Sequence, residues 1–374
     1  MPATVFATVA SRQETIYWCD FELSIPANNL SSKGGILCFS LPQLFLRGET
    51  VRFASLSLLC VVLGCNASIS AADLEESSAI QRITQLGGTV SRSDTPRRSA
   101  TAIVGCRLSN AGRSFADRDI QLLRSIHNLT DLDLQQTDVT DAGIRELRHL
   151  PHLTKLHLRG PCITNRTLKV LATFSRLTEL YVGRNDVTDT GLKELGHLAN
   201  LTVLHLNSTK ITDVGLKELR PLHKLVELNL SNNAITDEGL NGLAALVTLT
   251  ELDLSATFIT DAGLKKIGHL TKMKKLWIMQ TPVSDAGLIE LRRFQELERF
   301  WLSGTQVSDA GMKELKRLKR LKRLFLNQTR LTDAAIDDLL EFPSLTVLGV
   351  QNTKLTAAGR DRLRNLLPHV KIED

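Results

Sequence analysis

From Leu129 onward, apolar residues fall at positions 1, 4, 6, 11, 16, 19 and 22 of a 24-residue period that recurs ten times without insertion. The units open at Leu129, Leu153, Leu177, Leu201, Leu225, Leu249, Met273, Leu297, Leu321 and Leu345. The clearest copy is LTVLHLNSTKITDVGLKELRPLHK, residues 201–224. Leu204 and Leu206 lie two apart, which is strand spacing, so positions 4 and 6 point inward while 3, 5 and 7 point out. Leu216, Leu219 and Leu222 follow at helical spacing and predict one buried stripe on a short helix. Between them stands Thr212-Asp213-Val214-Gly215-Leu216. A hydroxyl or carboxylate there caps orphan backbone N–H groups, and negative charge suits the positive end of the helix dipole. Glycine at position 15, replaced only by Thr167 and Ala335, is expected to let neighbouring first turns approach closely. Position 9 is Thr in seven copies and Asn in two, Asn185 and Asn233, which predicts a side-chain-to-backbone ladder interrupted at Pro161.

One strand and one helix cannot bury this apolar set alone. Stacking brings equivalent strands to about 4.8 Å and merges the stripes into one core. The expected fold is therefore an α/β solenoid, with a curved parallel sheet of about eleven strands on the concave side and short helices on the convex side. In that register Leu204, Leu228 and Leu252 are buried, and Asp213, Asp237 and Asp261 stand at helix starts. The pattern LxxLxLxxN or LxxLxLxxT over residues 129–368 resembles the leucine-rich-repeat family. The Thr-Asp-x-Gly-Leu phrase is similar to a 24-residue subclass found in bacterial exported repeat proteins and in F-box leucine-rich-repeat proteins. The resemblance implies a general binding scaffold and names no ligand.

Residues 73–128 are read as an N-terminal cap. A helix is expected over Ala72–Leu86, stopped by Gly87-Gly88. Ile103, Cys106 and Leu108, then Phe115, Asp117, Ile120, Leu123 and Ile126, fit a degenerate first repeat. At the other end Ala357 and Arg360 break the pattern, and residues 369–374 form a C-terminal cap in which Val370 and Ile372 suit a last edge strand. Residues 51–72 read as a leader: the apolar stretch Phe53–Gly64 follows Arg52, is charge-free, and suits a signal peptide better than a membrane span of about 20 residues. Val62-Leu63-Gly64-Cys65 resembles a lipobox, which makes Cys65 the candidate lipidation site; cleavage after Ala72 or an uncleaved anchor are the alternatives. Residues 1–50 carry no repeat and are read as an over-extended or disordered N-terminus.

The outward positions carry the candidate chemistry. Position 5 reads Asp133, His157, Tyr181, His205, Asn229, Asp253, Trp277, Trp301, Phe325, Gly349, and it captures every Tyr and Trp beyond residue 65. Strand propensity favours aromatics on sheets, but an exposed aromatic row is also hot-spot composition. Position 3 changes sign along the array, from Asp131, Lys155, Glu179, Val203, Glu227 and Glu251 to Lys275, Arg299 and Arg323. Between Lys265 and Arg330 there are 16 Lys or Arg against 6 Asp or Glu, within a chain of net charge +6. Part of that excess lies on the helical back, at Lys313, Lys316, Arg317, Lys319 and Arg320, where charge runs are ordinarily solvated. Trp277, Trp301, Phe325, Lys275, Arg299 and Arg323, with Tyr181 and His205, are the candidate partner-binding residues. The partner expected is an acidic protein. An anionic lipid or polymer would meet the same basic surface, and export argues against the single-stranded nucleic acid that basic and aromatic residues can also bind.

Catalytic signals are absent: the chain has no phosphate loop, nucleophile elbow, His-Glu-x-x-His or Cys-x-x-Cys. His157 and His205 flank Tyr181 about 10 Å apart by strand spacing, too far to share a metal ion. Cys106 and Cys162 lie in units two repeats apart, too far for a disulfide. We expect no cofactor, no metal, a monomer, and a non-enzymatic scaffold at the cell envelope or in the periplasm. The alternative is an F-box-type substrate-recognition subunit of a ubiquitin ligase, which would need a helical module where the leader-like run lies. Mass spectrometry of the mature N-terminus separates the two: export is expected to leave a lipidated Cys65 or a start at Asp73, and an intact Met1 in the cytosol would rule it out.

Overall fold

The computed structural model describes residues 71–92, 103–109, 111–160 and 162–374, together with four short strands nearer the N-terminus. The chain divides into two units, Met1–Ser78 and Ala79–Asp374. In the first, β1 (Thr4–Val9) pairs antiparallel with β2 (Tyr17–Glu22), and β3 (Leu44–Leu46) pairs antiparallel with β4 (Glu49–Val51). Most of the leader-like segment, including Cys65, lies outside the described residues, as does Pro161. Among the described residues no helix is long and apolar enough to cross a membrane.

The second unit is a solenoid. Its core begins with Ala79 and Ile83, from the second half of helix α1 (Ala71–Gln85). β5 (Thr89–Arg92) pairs antiparallel with β6 (Ile103–Arg107). Strands of three residues then recur every 24: β7 (Asp131–Asp133), β8 (Lys155–His157), β9 (Glu179–Tyr181), β10 (Val203–His205) and β11 (Glu227–Asn229). The series continues with β12 (Glu251–Asp253), β13 (Lys275–Trp277), β14 (Arg299–Trp301), β15 (Arg323–Phe325) and β16 (Val347–Gly349), and ends with β17 (Lys371–Glu373). From β6 onward all pairs are parallel and in register, so Leu204 faces Leu228 and Leu228 faces Leu252. The sheet has thirteen strands rather than eleven. β17 falls where the last edge strand is expected, at Ile372, and β5 adds an antiparallel edge at the other end.

The central residue of nearly every triplet is fully buried and its two neighbours are partly exposed, which sets positions 3 and 5 on the face away from the helices. Leu204, Leu228 and Leu252 are at most 1% exposed. Cys106, opposite Leu132, is equally buried; desolvation, with Asp133 and Asp131 nearby, pushes its thiol up to about 12 and keeps it protonated.

The ladder expected from position 9 is not the one that forms. Each position-9 Thr hydroxyl in the described turns bonds within its own turn, to the carbonyl three residues back, as Thr257 does to Leu254 and Thr281 to Ile278. Bridging between repeats at this position involves the two asparagines: Asn185 Nδ2 donates to Leu158 O, and Asn233 Nδ2 to Leu206 O while its Oδ1 accepts from the Thr209 hydroxyl at 2.9 Å. A threonine hydroxyl is too short to make both contacts. The repeat-to-repeat ladder is built instead by the position-13 acid. Asp237 Oδ1 accepts from the Thr260 backbone N–H at 2.7 Å and Oδ2 from its hydroxyl at 2.6 Å. The same pair of bonds links Asp117 to Thr140, Asp141 to Thr164, Asp189 to Thr212, Asp213 to Thr236, Asp261 to Ser284, Asp285 to Ser308, Asp309 to Thr332 and Asp333 to Thr356. Each of these hydroxyls then accepts a backbone N–H in the first turn of its own helix, for example Thr260 from Ala262. The hydroxyl therefore caps the helix, and the acid holds the cap of the next one.

Asn165 tests the logic. Its amide donates to Thr188 Oγ at 2.8 Å instead of accepting from it, and the Thr188 hydroxyl meets the Thr190 hydroxyl at 2.9 Å instead of capping a backbone N–H of its own helix. Position 15 is glycine for the same reason, because a Cβ on Gly215, Gly239, Gly263 or Gly287 would fall on the Oδ1 of the preceding repeat's Asp. Thr167 escapes the clash by donating its hydroxyl to Asp141 Oδ1 at 2.6 Å. Burial would raise the Asp141 carboxyl, but the hydrogen bonds from Thr164 and Thr167 outweigh it and hold it below the usual aspartate range.

A second feature has no counterpart in the sequence pattern. Position 8 takes a left-handed backbone in nine of the ten repeats, at Gln136, Arg184, Ser208, Asn232, Ala256, Gln280, Gly304, Gln328 and Asn352. Only one of those nine is glycine. The parallel neighbour imposes the turn, as in Ala256 N–H donating to Met279 O at 2.7 Å.

The coupling of Asp to Gly gives a test. Asp237→Ala is expected to destabilise by about 1–3 kcal/mol through the unmade bonds to Thr260. Gly263→Ala is expected to destabilise in the wild type but to cost at least about 1 kcal/mol less in the Asp237→Ala background, where the clashing oxygen is gone. Chemical denaturation of the four variants measures this, and strict additivity would refute the role given to the glycine.

Candidate functional site

The in-register sheet turns position 5 into a row of side chains one strand apart. Trp277 and Trp301 stack with centroids 4.4 Å apart and planes 10° from parallel, and Trp301 and Phe325 follow at 5.5 Å and 7°. All three are half-buried, because each ring covers the face of the next and leaves its edge to solvent. The row ends at Gly349, where a Cβ would sit 2.7 Å from Phe325 Cδ1. Met279, two residues beyond Trp277, is also partly exposed on this side.

The position-3 charges divide into paired and unpaired. Lys275 Nζ lies 2.6 Å from Glu251, so this cation of the expected basic row is already neutralised. Lys155 meets Glu179 at 2.7 Å, and His205 Nε2 meets Glu227 at 2.6 Å. That hydrogen bond from His205 holds Glu227 below the usual glutamate range. Arg299 and Arg323 face each other across β14 and β15 and make no ion pair among the described residues, Glu298 acting on Arg299 only through its charge. Two like charges on adjacent strands repel, so this pair is stabilised when an anion reaches it.

Tyr181 and His205 do not join the tryptophans. They form a second stack: His157 lies on Tyr181 at 4.0 Å and 6°, and His205 meets Tyr181 edge-on at 4.6 Å. Asn229 and Asp253 separate the stacks, each accepting a backbone N–H two residues on, from Ser231 and Ser255. Burial raises the Asp253 carboxyl. Burial and Glu179, which accepts from the hydroxyl at 3.3 Å, push Tyr181 above its ordinary range. The eight candidate residues therefore make two patches: Trp277, Trp301, Phe325, Lys275, Arg299 and Arg323 together, and Tyr181 with His205. Two members were missed, His157 and Glu251. Both were detectable as the 24-residue neighbours of Tyr181 and Lys275.

The helical back is less basic than its composition suggests. Lys316 lies 3.6 Å from both Asp338 and Glu341, Arg320 pairs with Glu296, Lys322 with Glu298, and Arg292 with Glu314. These pairs link successive repeats and tie down part of the basic charge, while Lys313 and Arg317 make no ion pair among the described residues. Among the described residues no group of three or more His, Cys, Asp or Glu is placed to hold a metal ion.

Comparison with known proteins fits this geometry. One family profile described as leucine rich repeat matches residues 175–235, and a second of the same description matches residues 125–147 and 245–268. No curated protein sequence matches the chain. Among solved structures, an internalin (inlF) from Listeria monocytogenes strain 4b F2365 superposes with a TM-score of 0.53 at 21% identity, covering 80% of this chain and 94% of that one. Internalin C2 from the same strain gives 0.47 at 22% identity, covering 64% and 92%. The first of these likenesses, with the thirteen-stranded sheet and its short helices, makes the fold an α/β leucine-rich-repeat solenoid.

The His157 stack yields a titration test. Burial disfavours the imidazolium, and although Asp133, Asp131 and Glu179 oppose it, the folded pKa lies below the ordinary 6.5. The unfolded chain then binds this proton more tightly. The contribution to stability is constant above about pH 6.5 and falls as pH drops through that value toward the folded pKa. NMR titration of the His157 ring is expected to give a midpoint below 6.5, with Tyr181 signals moving in step. A midpoint above 6.5 would contradict the burial.

Proposed function

We propose that the repeat array is a non-enzymatic protein-binding scaffold whose partner docks across β13–β15. The observation that carries this is the stacked, solvent-edged ladder Trp277–Trp301–Phe325 beside the unpaired Arg299 and Arg323. Centrally placed aromatics and arginine dominate measured interface energetics. A partner with an acidic, apolar surface satisfies both rows, whereas a purely anionic polymer leaves the rings unused. Trp301 is the centre of the patch; Lys275, paired with Glu251, contributes at the rim. Tyr181 and His205, with His157, form a secondary contact on the acidic half of the face. The charge-free run before residue 72 supports export to the envelope or periplasm, with Cys65 as the anchor site. Nothing observed favours the F-box-type alternative.

Once a partner is captured, Trp277→Ala/Trp301→Ala is expected to fold, since a stacked pair contributes only about 0.5–1.5 kcal/mol beyond burial. It is expected to lose at least about 2 kcal/mol of binding, or some 30-fold in Kd. Arg299→Gln is expected to act mainly on the association rate and its salt dependence. Calorimetry and stopped-flow kinetics measure both, and an unchanged Kd for the double variant would refute the site.

A further inference from the structure

The ladder runs across the strands, along the solenoid axis, so whatever lies on it must repeat its contacts along that axis. Its steps are 4.4 and 5.5 Å. Side chains on one face of an extended strand recur every 6.6–6.8 Å or so, which misses both steps. On an α-helix, residues three and four apart rise by about 4.5 and 6.0 Å, and residues seven apart by about 10.5 Å, close to the length of the ladder. The rings also stack face to face, so their flat surfaces are largely occupied and only edges are offered. A sugar, which needs an open ring face, gains little here, whereas aliphatic side chains pack well against a ribbed row of edges. Arg299 and Arg323 stand on adjacent strands about 4.8 Å apart, in a row beside the rings. Carboxylates three or four apart on a helix have Cβ atoms about 5–6 Å apart and would meet both guanidiniums at once. On the other flank the charge is absent: Met279, Ser303 and Asn327 occupy position 7.

We infer that the element recognised by β13–β15 is an amphipathic α-helix, lying along the solenoid axis, with aliphatic residues at i, i+3 or i+4, and i+7 and with Asp or Glu along the flank facing Arg299 and Arg323. This rests on the proposal that the face is the binding surface. The apolar stripe sits on the ring edges, and the acidic flank neutralises the two arginines, which make no ion pair among the described residues.

The test uses the full chain and two displayed peptide libraries of matched size, one held on a helical hairpin and one linear or in a β-hairpin. Both are panned on the wild type and counter-selected on Trp277→Ala/Trp301→Ala. Enriched binders are expected from the helical library, with the apolar spacing and acidic flank described. Their Kd is expected to weaken at least tenfold against Arg299→Glu/Arg323→Glu and to recover when their acids are changed to Lys. If the charge-reversed variant melts more than a few degrees lower, Arg299→Gln/Arg323→Gln replaces it, with a smaller loss expected. Binders that depend on the tryptophans but are extended, proline-rich or basic on the flank would overturn the helix and leave the face intact. Binders indifferent to the tryptophans would overturn the reading of the face itself, and failure of the helical library to yield any tryptophan-dependent binder would count against the helix.

Discussion

The hydrogen-bond pair from a position-13 aspartate to the position-12 hydroxyl and N–H of the following repeat is the contact on which the array depends. It runs from Asp117 to Thr356 through every junction, with one inverted step at Asn165. Each bond is modest, about 0.5–1.5 kcal/mol for neutral groups and more where an ionised acceptor is used. Its effect is geometric. By fixing where each helix begins relative to the last, it sets the spacing at which the leucines of neighbouring repeats meet, and it favours glycine at position 15, where only the buried Thr167 and Ala335 carry a Cβ. Asp, Thr and Gly in the phrase Thr-Asp-x-Gly-Leu are thus one device distributed over two repeats.

That regularity produces the sheet face. With every strand of the array in register and a constant period, residue i always neighbours residue i+24, so any chemistry placed at position 5 becomes a row. Parallel pairing brings Trp277, Trp301 and Phe325 close enough to stack without a dedicated pocket. Stability and recognition are separated accordingly. The inward positions are nearly uniform Leu, Ile, Val, Met and Phe, while the outward ones vary without disturbing the core.

Charge on this face is organised by the same neighbour rule. Where opposite signs fall 24 apart they neutralise each other, as in Lys155–Glu179 and Glu251–Lys275. Where the same sign repeats, as at Arg299 and Arg323, the field stays open to a partner. The distinction matters more than counting pairs, because surface pairs are individually worth little.

The period, the assignment of strand and helix, the inward and outward faces and the membership of the aromatic row were all legible in the sequence. Each follows from spacing alone: 2 for strand, about 3.6 for helix and 24 for the neighbour. The choice of hydrogen-bond partner was not. Position 9 suggests a ladder because Thr and Asn recur there, yet its threonine hydroxyls bond the backbone of their own turn, only Thr209 also meeting Asn233 of the next repeat, and the regular bridging falls to the position-13 aspartate. Nor does spacing disclose the left-handed backbone at position 8, since residues as unlike as Arg184 and Ala256 adopt it under the pull of the adjoining strand. The neutralisation of Lys275, the seating of His157 on Tyr181 and the antiparallel β5 were likewise decided in three dimensions. A repeat specifies which residues are neighbours; which of their groups touch depends on side-chain reach and on competing acceptors, and those exist only once the chain is stacked.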